Sequence, residues 1–176
     1  PPPALVPYLE AVRACNGGRS LRRYPGSPWL AHALLRPADH LVLMELHPRA
    51  LGMLRRLYGR DTQVHVHERD SFEGLPALLP PPERRGLVLI DPSYELKDDY
   101  ARVTGLLADC HRRWPTGVFL LWYPLVRGRA GERLPARIAA LGMRRVYHIA
   151  IEVEGRGFDG MRGSGMLAVN LPFGLD

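Results

Sequence analysis

Short apolar runs alternate along the chain with stretches whose apolar residues recur every three or four positions, a rhythm that predicts an α/β fold. "LVPYLEAVRACN" has the helical spacing and stops at Gly17-Gly18. "SLRRY" (20–24) reads as a short strand closed by the turn "YPGSP", and "PWLAHALL" as a helix opening on Pro28. "HLVLMEL" (40–46) is a buried strand, and "PRALGMLRRLYG" a helix begun by Pro48 and ended by Gly59. "QVHVHERD" (63–70) alternates as a strand does, and "GLPALLP" is a short helix or turn. "GLVLID" (86–91) is the most apolar strand. "DDYARVTGLLADCHRRW" is an amphipathic helix whose acidic start suits its dipole, and "GVFLLWYP" (117–124) is the next strand. "GERLPARIAALG" is a helix interrupted by Pro135. "RRVYHIAIEVE" and "GSGMLAVNLP" are two final strands, a hairpin joined by the Gly-rich "GRGFDGMRG". No internal repeat of roughly 20–50 residues is visible.

Strands alternating with helices argue for a mostly parallel, doubly wound sheet with helices on both faces. Such sheets bind ligands at the carboxyl ends of their strands. Those ends read, in order, Tyr24-Pro25-Gly26-Ser27, Glu45-Leu46-His47, Asp70-Ser71-Phe72, Asp91-Pro92-Ser93-Tyr94 and Tyr123-Pro124. Polar groups collect there, whereas the strand interiors are apolar.

Composition narrows the classes. A chain of 176 residues with 46% apolar content supports one domain with a full core and argues against disorder. No apolar run approaches the roughly 18 residues of a membrane span, and no secretory signal opens the chain, so a cytoplasmic protein is expected. It begins "PPPALVP" without a methionine, as a processed or shortened piece of a longer protein does. Cys15 and Cys110 lie far apart, outside metal-ligand spacing, and read as reduced thiols. The formal charge is +6, and every positive residue except Lys97 is an arginine. Arginine forks onto phosphate and stacks on bases, which suits a nucleic-acid partner. A GC-rich genome explains the arginine-to-lysine ratio equally well, but not the net excess.

The strand ends carry the candidate chemistry. Gly26, in the first turn, lets backbone approach a ligand closely, or simply makes a turn. Glu45 ends the next strand, where an acid in Rossmann-type sites accepts hydrogen bonds from ribose hydroxyls; otherwise it is a solvated acid. No G-x-G-x-x-G is present. Asp70 can take an exocyclic amino group or an adenine edge, with Ser71 adding a backbone N–H, or it caps the following helix. His65 and His67 share one strand face, but no third ligand lies near them in sequence, so no metal site is expected. No nucleophile elbow supports a hydrolase.

Asp91-Pro92-Ser93-Tyr94 is the most specific signal. An exocyclic amino group donates two hydrogen bonds, and the Asp91 carboxylate and the Pro92 carbonyl can accept one each. Proline fixes the backbone that carries this carbonyl. Tyr94 can stack on the base face. A tight turn with a helix-starting aspartate is the plain alternative.

"YPGSP", "ELHP", "GLVLIDPSYELKDDY", "TGVFLLWYP" and "GSGMLAVNLP" together resemble the bacterial 23S ribosomal RNA adenine-N6 methyltransferase family RlmJ, in the family's order and over nearly the whole chain. The resemblance implies a Rossmann-like class I methyltransferase fold ending in an antiparallel hairpin, with residues 1–176 as a single catalytic domain. It implies S-adenosyl-L-methionine as cofactor and 23S rRNA, in an unstacked or protein-free form, as partner; the family expectation is a monomer. Gly26 and Ser27 would line the methionine end of the cofactor, Glu45 would hold the ribose, and Asp70 and Ser71 would contact the adenine ring. Asp91 would be the catalytic residue, which also borders the cofactor, with Pro92 and Tyr94 beside it. The family's clamp is Asp-Pro-Pro-Tyr. Ser93 replaces its second proline, which loosens the turn and leaves both acceptors in place. The family also has an N-terminal segment rich in His and Lys, and a small helical insertion, both expected to be missing here.

The implied reaction is in-line attack of adenine N6 on the sulfonium methyl, with Asp91 orienting the amino group and stabilising its developing positive charge. The target adenine must leave its stack, at a cost of a few kcal/mol. Arg127, Arg129, Arg156 and Arg162 are expected to meet RNA phosphates. The clamp itself serves DNA adenine equally, and a non-catalytic nucleic-acid-binding protein linked to use of external DNA is the remaining alternative.

Overall fold

In the computed structural model, residues 1–18, 20–96, 98–126, 130–153, 160–172 and 174 are described. The chain forms two compact units, Pro1–Ser71 and Phe72–Asp176. Its α/β class, with parallel strands joined through helices and an antiparallel hairpin at the end, is the one the hydrophobic rhythm predicts.

The first unit opens with a 3₁₀ turn at Pro3–Leu5 and helix α1 (Val6–Cys15). Gly17 and Gly18 stop α1 at φ of 63° and 73°, values that suit glycine, and the Gly18 N–H returns to the Arg13 carbonyl at 2.9 Å. Residues 20–24 are not a strand. Asn16 holds them instead: its Oδ1 accepts the Arg22 and Arg23 N–H groups at 2.9 Å, and its Nδ2 donates to the Arg23 carbonyl at 2.8 Å. A side chain thus takes up backbone groups that a neighbouring strand would otherwise satisfy. Helix α2 (Ser27–Ala33) follows, then β1 (Leu41–Met44), α3 (Pro48–Tyr58) and β2 (Val64–His67). Strands β1 and β2 pair in parallel from Leu41↔Val64 to Met44↔His67. α3 buries Leu51 and Tyr58 and connects them.

The second unit contains nearly all of α4 (Ser71–Ala77), then β3 (Leu87–Ile90), α5 (Asp99–Arg113), β4 (Val118–Val126), α6 (Leu134–Ala139), β5 (Val146–Glu152) and β6 (Met161–Val169). Its sheet has the order β3-β4-β6-β5; β3 and β4 run parallel, and β6 is antiparallel to both β4 and β5. Phe119, Leu121, Tyr123 and Leu125 point from β4 into a core with Val103, Leu107 and Cys110 of α5 and Leu134 and Ile138 of α6. Burial pushes the Cys110 thiol up to about 11. "GSG" in β6 reflects this packing. A Cβ on Gly165 would lie 2.2 Å from the Tyr123 ring, and one on Gly163 would lie 2.0 Å from the Ile151 carbonyl oxygen.

Two further sequence expectations need correction. Pro135 does not interrupt a helix; it sits in the first turn of α6, where its missing N–H costs nothing, after a 3₁₀ turn at Ala130–Arg133. Tyr123-Pro124 does not end a strand, because β4 runs on to Val126. Pro124 lies past the last residue paired with β3, where β4 has β6 as its partner, and such one-sided positions tolerate proline. β3 is buried on one face only: Ile90 is 6% exposed, but Leu87 and Leu89 are 59% and 41% exposed. Among the described residues, no helix is long and apolar enough to cross a membrane.

Candidate active site

In the first unit the parallel register sets the ends of β1 and β2 side by side, and the Glu45 N–H donates to the His67 carbonyl at 3.1 Å. Glu45 is half-buried. Its Oε1 accepts the His47 N–H at 2.7 Å, which holds the carboxylate over the turn that opens α3. Asp70 directly precedes α4, the position of a helix cap, and Ser71 is the first residue of that helix. Gly26 is the N-cap of α2 and Ser27 its first residue. At φ of −73° Gly26 needs no glycine-specific backbone, and a Cβ there would only touch Pro28 Cδ at 3.6 Å. The turn is tied down beside it, where Pro25 is buried and the Tyr24 and Tyr8 hydroxyls are hydrogen-bonded. His65 is exposed, its ring stacked 5.8 Å from that of His40, and His67 is exposed as well.

In the second unit Asp91 follows directly on Ile90, which pairs with Leu121 of β4. Asp91 is exposed, and among the described residues its carboxylate has no hydrogen-bond or ion-pair partner. Enough protein crowds it that desolvation raises its pKa above the ordinary carboxylate value. Pro92 is half-buried and Ser93 exposed. Asp99, the first residue of α5, closes the far side of the loop. It is 4% exposed, its Oδ2 accepts the Leu96 N–H at 3.2 Å, and its own N–H donates to the Leu96 carbonyl at 3.1 Å. This carboxylate also sits favourably at the positive end of the helix.

Tyr94 does not offer the stacking face expected of it. It is 4% exposed, its hydroxyl donates to the Trp122 carbonyl at 2.6 Å, and its ring lies 4.7 Å from that of Tyr100. An aromatic residue with a buried acceptor in reach joins the core. Sequence reasoning does not single out Trp122 or Asp99. A signal for Trp122 exists, since pairing "LVLI" with "VFLL" in parallel puts it opposite the residue after Ile90. Of the arginines expected on RNA, Arg127, Arg129 and Arg156 lie outside the described residues. Arg162 lies in β6, 3.6 Å from Glu132, with its Nε buried and, among the described residues, without a hydrogen-bond partner.

Comparison with known proteins places this geometry in context. A family model described as "Ribosomal RNA large subunit methyltransferase D, RlmJ" matches residues 1–176. The chain belongs to the RlmJ family. Ribosomal RNA large subunit methyltransferase J of Escherichia coli (strain K12) is 40% identical over 176 residues, which is 99% of this chain and 63% of the relative. The protein of the same name from Haemophilus influenzae is 40% identical over 177 residues, again covering 99% and 63%. The chain therefore spans just under two thirds of the length of these RlmJ relatives. A crystal structure of protein LPL1258 from Legionella pneumophila superposes with a TM-score of 0.91 at 33% identity, over 98% of this chain and 64% of that one.

Proposed function

We propose that the protein is an S-adenosyl-L-methionine-dependent methyltransferase that modifies the N6 amino group of an adenine in 23S rRNA, with residues 1–176 acting as its catalytic domain. The observation that carries this reading is Asp91, a carboxylate directly after β3 with no hydrogen-bond or ion-pair partner among the described residues, in a chain whose family is that of large-subunit rRNA methyltransferases. Asp91 and the Pro92 carbonyl accept the two hydrogens of the adenine N6 group, leaving the nitrogen lone pair free for the sulfonium methyl. The N6–methyl bond forms as the methyl–sulfur bond breaks, S-adenosylhomocysteine departs, and the extra proton on N6 leaves afterwards. Asp91 orients the amino group and stabilises charge where it develops, the two effects from which such a site gains most. Gly26 and Ser27 meet the methionine end of the cofactor, Glu45 the ribose, and Asp70 and Ser71 the adenine ring. The substrate is rRNA whose target adenine is unstacked, and the protein acts as a monomer in the cytoplasm.

Glu45→Ala is expected to weaken S-adenosyl-L-methionine binding by about 1–3 kcal/mol, the loss of a hydrogen bond to a charged group. Calorimetry on the full-length gene product measures this, and unchanged affinity assigns the ribose to another residue. The pH profile tests Asp91. Its raised folded pKa means that the accepting carboxylate is lost, as pH falls, earlier than for an ordinary aspartate. By the same shift, whatever Asp91 adds to folding is present at low pH and declines as pH rises through its folded pKa. The acid limb of kcat against pH is expected at higher pH than an ordinary carboxylate would give, and is expected to vanish in Asp91→Asn, whose amide oxygen still accepts. A limb that survives Asp91→Asn belongs to a different group. The reading as a whole is tested by incubating the full-length gene product with labelled S-adenosyl-L-methionine and either unmodified 23S rRNA or adenine-containing DNA. Transfer to the RNA supports it, and transfer to neither polymer removes it.

A further inference from the structure

We infer that the edge of the second unit's sheet opposite Asp91 is a second RNA-docking surface, where arginines at the starts of β3, β4 and β5 hold backbone phosphates remote from the target adenine. The inference rests on the function proposed above for its partner, 23S rRNA, and adds a contact that the reaction site does not make.

The topology brings these arginines together. β3 and β4 are parallel, and β4 and β5 are both antiparallel to β6, so β3, β4 and β5 all start at one edge and Asp91 follows β3 at the other. Arg84 and Arg85 precede β3, Arg112 and Arg113 precede β4, and Arg144 and Arg145 precede β5; all are exposed. The stretches 80–86, 109–117 and 142–145 that carry them hold only two acids, Glu83 and Asp109. With β4 and β6 between β3 and β5, the edge is about 14 Å wide at a strand spacing of about 4.8 Å. At about 3.3 Å per residue of strand, Arg85 lies roughly 20 Å from Asp91 along the chain. Phosphates met there belong to nucleotides several steps from the base at Asp91, or to another strand.

Arg112 and Arg113 have a plain cause, since both pair with Asp109 and complement the negative end of α5. No helix end accounts for the other four. Among the described residues, the side chains of Arg84, Arg85 and Arg144 have no hydrogen-bond or ion-pair partner. Arg84 and Arg145 hold φ of 51° and 54°, a left-handed conformation that glycine or asparagine adopts with less strain. Arginine thus stands at two exposed positions where the backbone disfavours it. The edge is also stiff. Asn170 donates through Nδ2 to the Pro115 and Gly117 carbonyls at 2.8 and 2.9 Å, and through its N–H to the Arg145 carbonyl at 3.1 Å. The starts of β4 and β5 are therefore tied together before any RNA arrives, which lowers the ordering cost of binding. A cavity of about 240 Å³ lies between Arg84, Arg113 and Thr116, room for a phosphate group between two guanidinium forks and a hydroxyl.

The test compares the full-length gene product with a variant carrying Arg84→Gln, Arg85→Gln and Arg144→Gln. Binding of unmodified 23S rRNA is measured without S-adenosyl-L-methionine over a range of salt concentrations. The variant is expected to bind at least tenfold more weakly near physiological salt. The slope of log affinity against log salt is expected to flatten by about 2–3, since each phosphate contact contributes about 0.7–0.9. In methyl transfer, KM for RNA is expected to rise with the dissociation constant, while kcat at saturating RNA and the affinity for S-adenosyl-L-methionine stay within about twofold. A control variant with Arg56→Gln, Arg60→Gln and Arg137→Gln loses the same charge from other exposed positions, and is expected to change RNA affinity less than threefold. Equal losses in the two variants overturn the inference, because net charge alone then explains them. An unchanged affinity and salt slope overturn it too, and are what an edge that docks an acidic protein, or merely keeps the chain soluble, predicts. Binding is read without methyl transfer, so a protein that binds RNA at this edge and transfers no methyl removes the proposed function alone. Should the triple variant fail to fold, Arg84→Gln with Arg85→Gln carries the same comparison, with a slope flattened by about 1–2.

Discussion

Asp91→Ala is expected to slow methyl transfer by the full-length gene product about a hundredfold to a thousandfold, with little change in thermal stability. The magnitude is that of removing one preorganised group from the place where charge develops. The stability expectation follows from the structure. Asp91 is exposed and, among the described residues, makes no hydrogen bond or ion pair, so alanine breaks none of the contacts described. Its desolvated carboxylate is if anything a small burden on the folded state near neutral pH. Single-turnover transfer of labelled methyl, with a melting curve on the same sample, measures both quantities. A rate within tenfold of the unmutated protein would mean that orientation of the amino group depends on something else.

Phe119→Ala is expected to have the largest effect on stability, roughly 3–5 kcal/mol. Phe119 is 0% exposed, in the half of β4 flanked by both β3 and β6. Its ring meets Trp114 edge-on, with centroids 6.0 Å apart and planes at 72°, and lies 6.4 Å from His111. Removing it opens a void among side chains from α5, β4 and β6 that cannot close without moving a strand paired on both sides. Urea unfolding gives the number. A loss below about 1 kcal/mol would mean that the second unit repacks freely and that its core is not the rigid base assumed for the Asp91 turn.

Much of the fold is legible in the sequence because it is local. The period-two and period-3.6 patterns give β1 to β6 and most of the helices, since each reports which side of an element is buried. The strand-end rule singles out Glu45 and Asp91 without any coordinates, because a carboxylate directly after an apolar strand is conspicuous. What is not legible depends on partners distant in the chain. Residues 20–24 look like a strand until Asn16 is seen to take their backbone groups. Pro124 looks like a strand end until β3 is seen to stop pairing at Leu121. Tyr94 is the most instructive case. Its aromatic ring suits a base or a core equally, and only the Trp122 carbonyl, 28 residues away, decides between them. Even the parallel pairing of β3 with β4 has to be known before that acceptor can be named.

The central claim is that an adenine N6 nitrogen receives the methyl. Its most direct test is to incubate the full-length gene product with S-adenosyl-L-methionine and unmodified 23S rRNA, digest the RNA to nucleosides and identify the product by mass spectrometry. The account predicts N6-methyladenosine, formed by the unmutated protein and lost with Asp91→Ala. Methylation at any other atom, or N6-methyladenosine undiminished in Asp91→Ala, would contradict it.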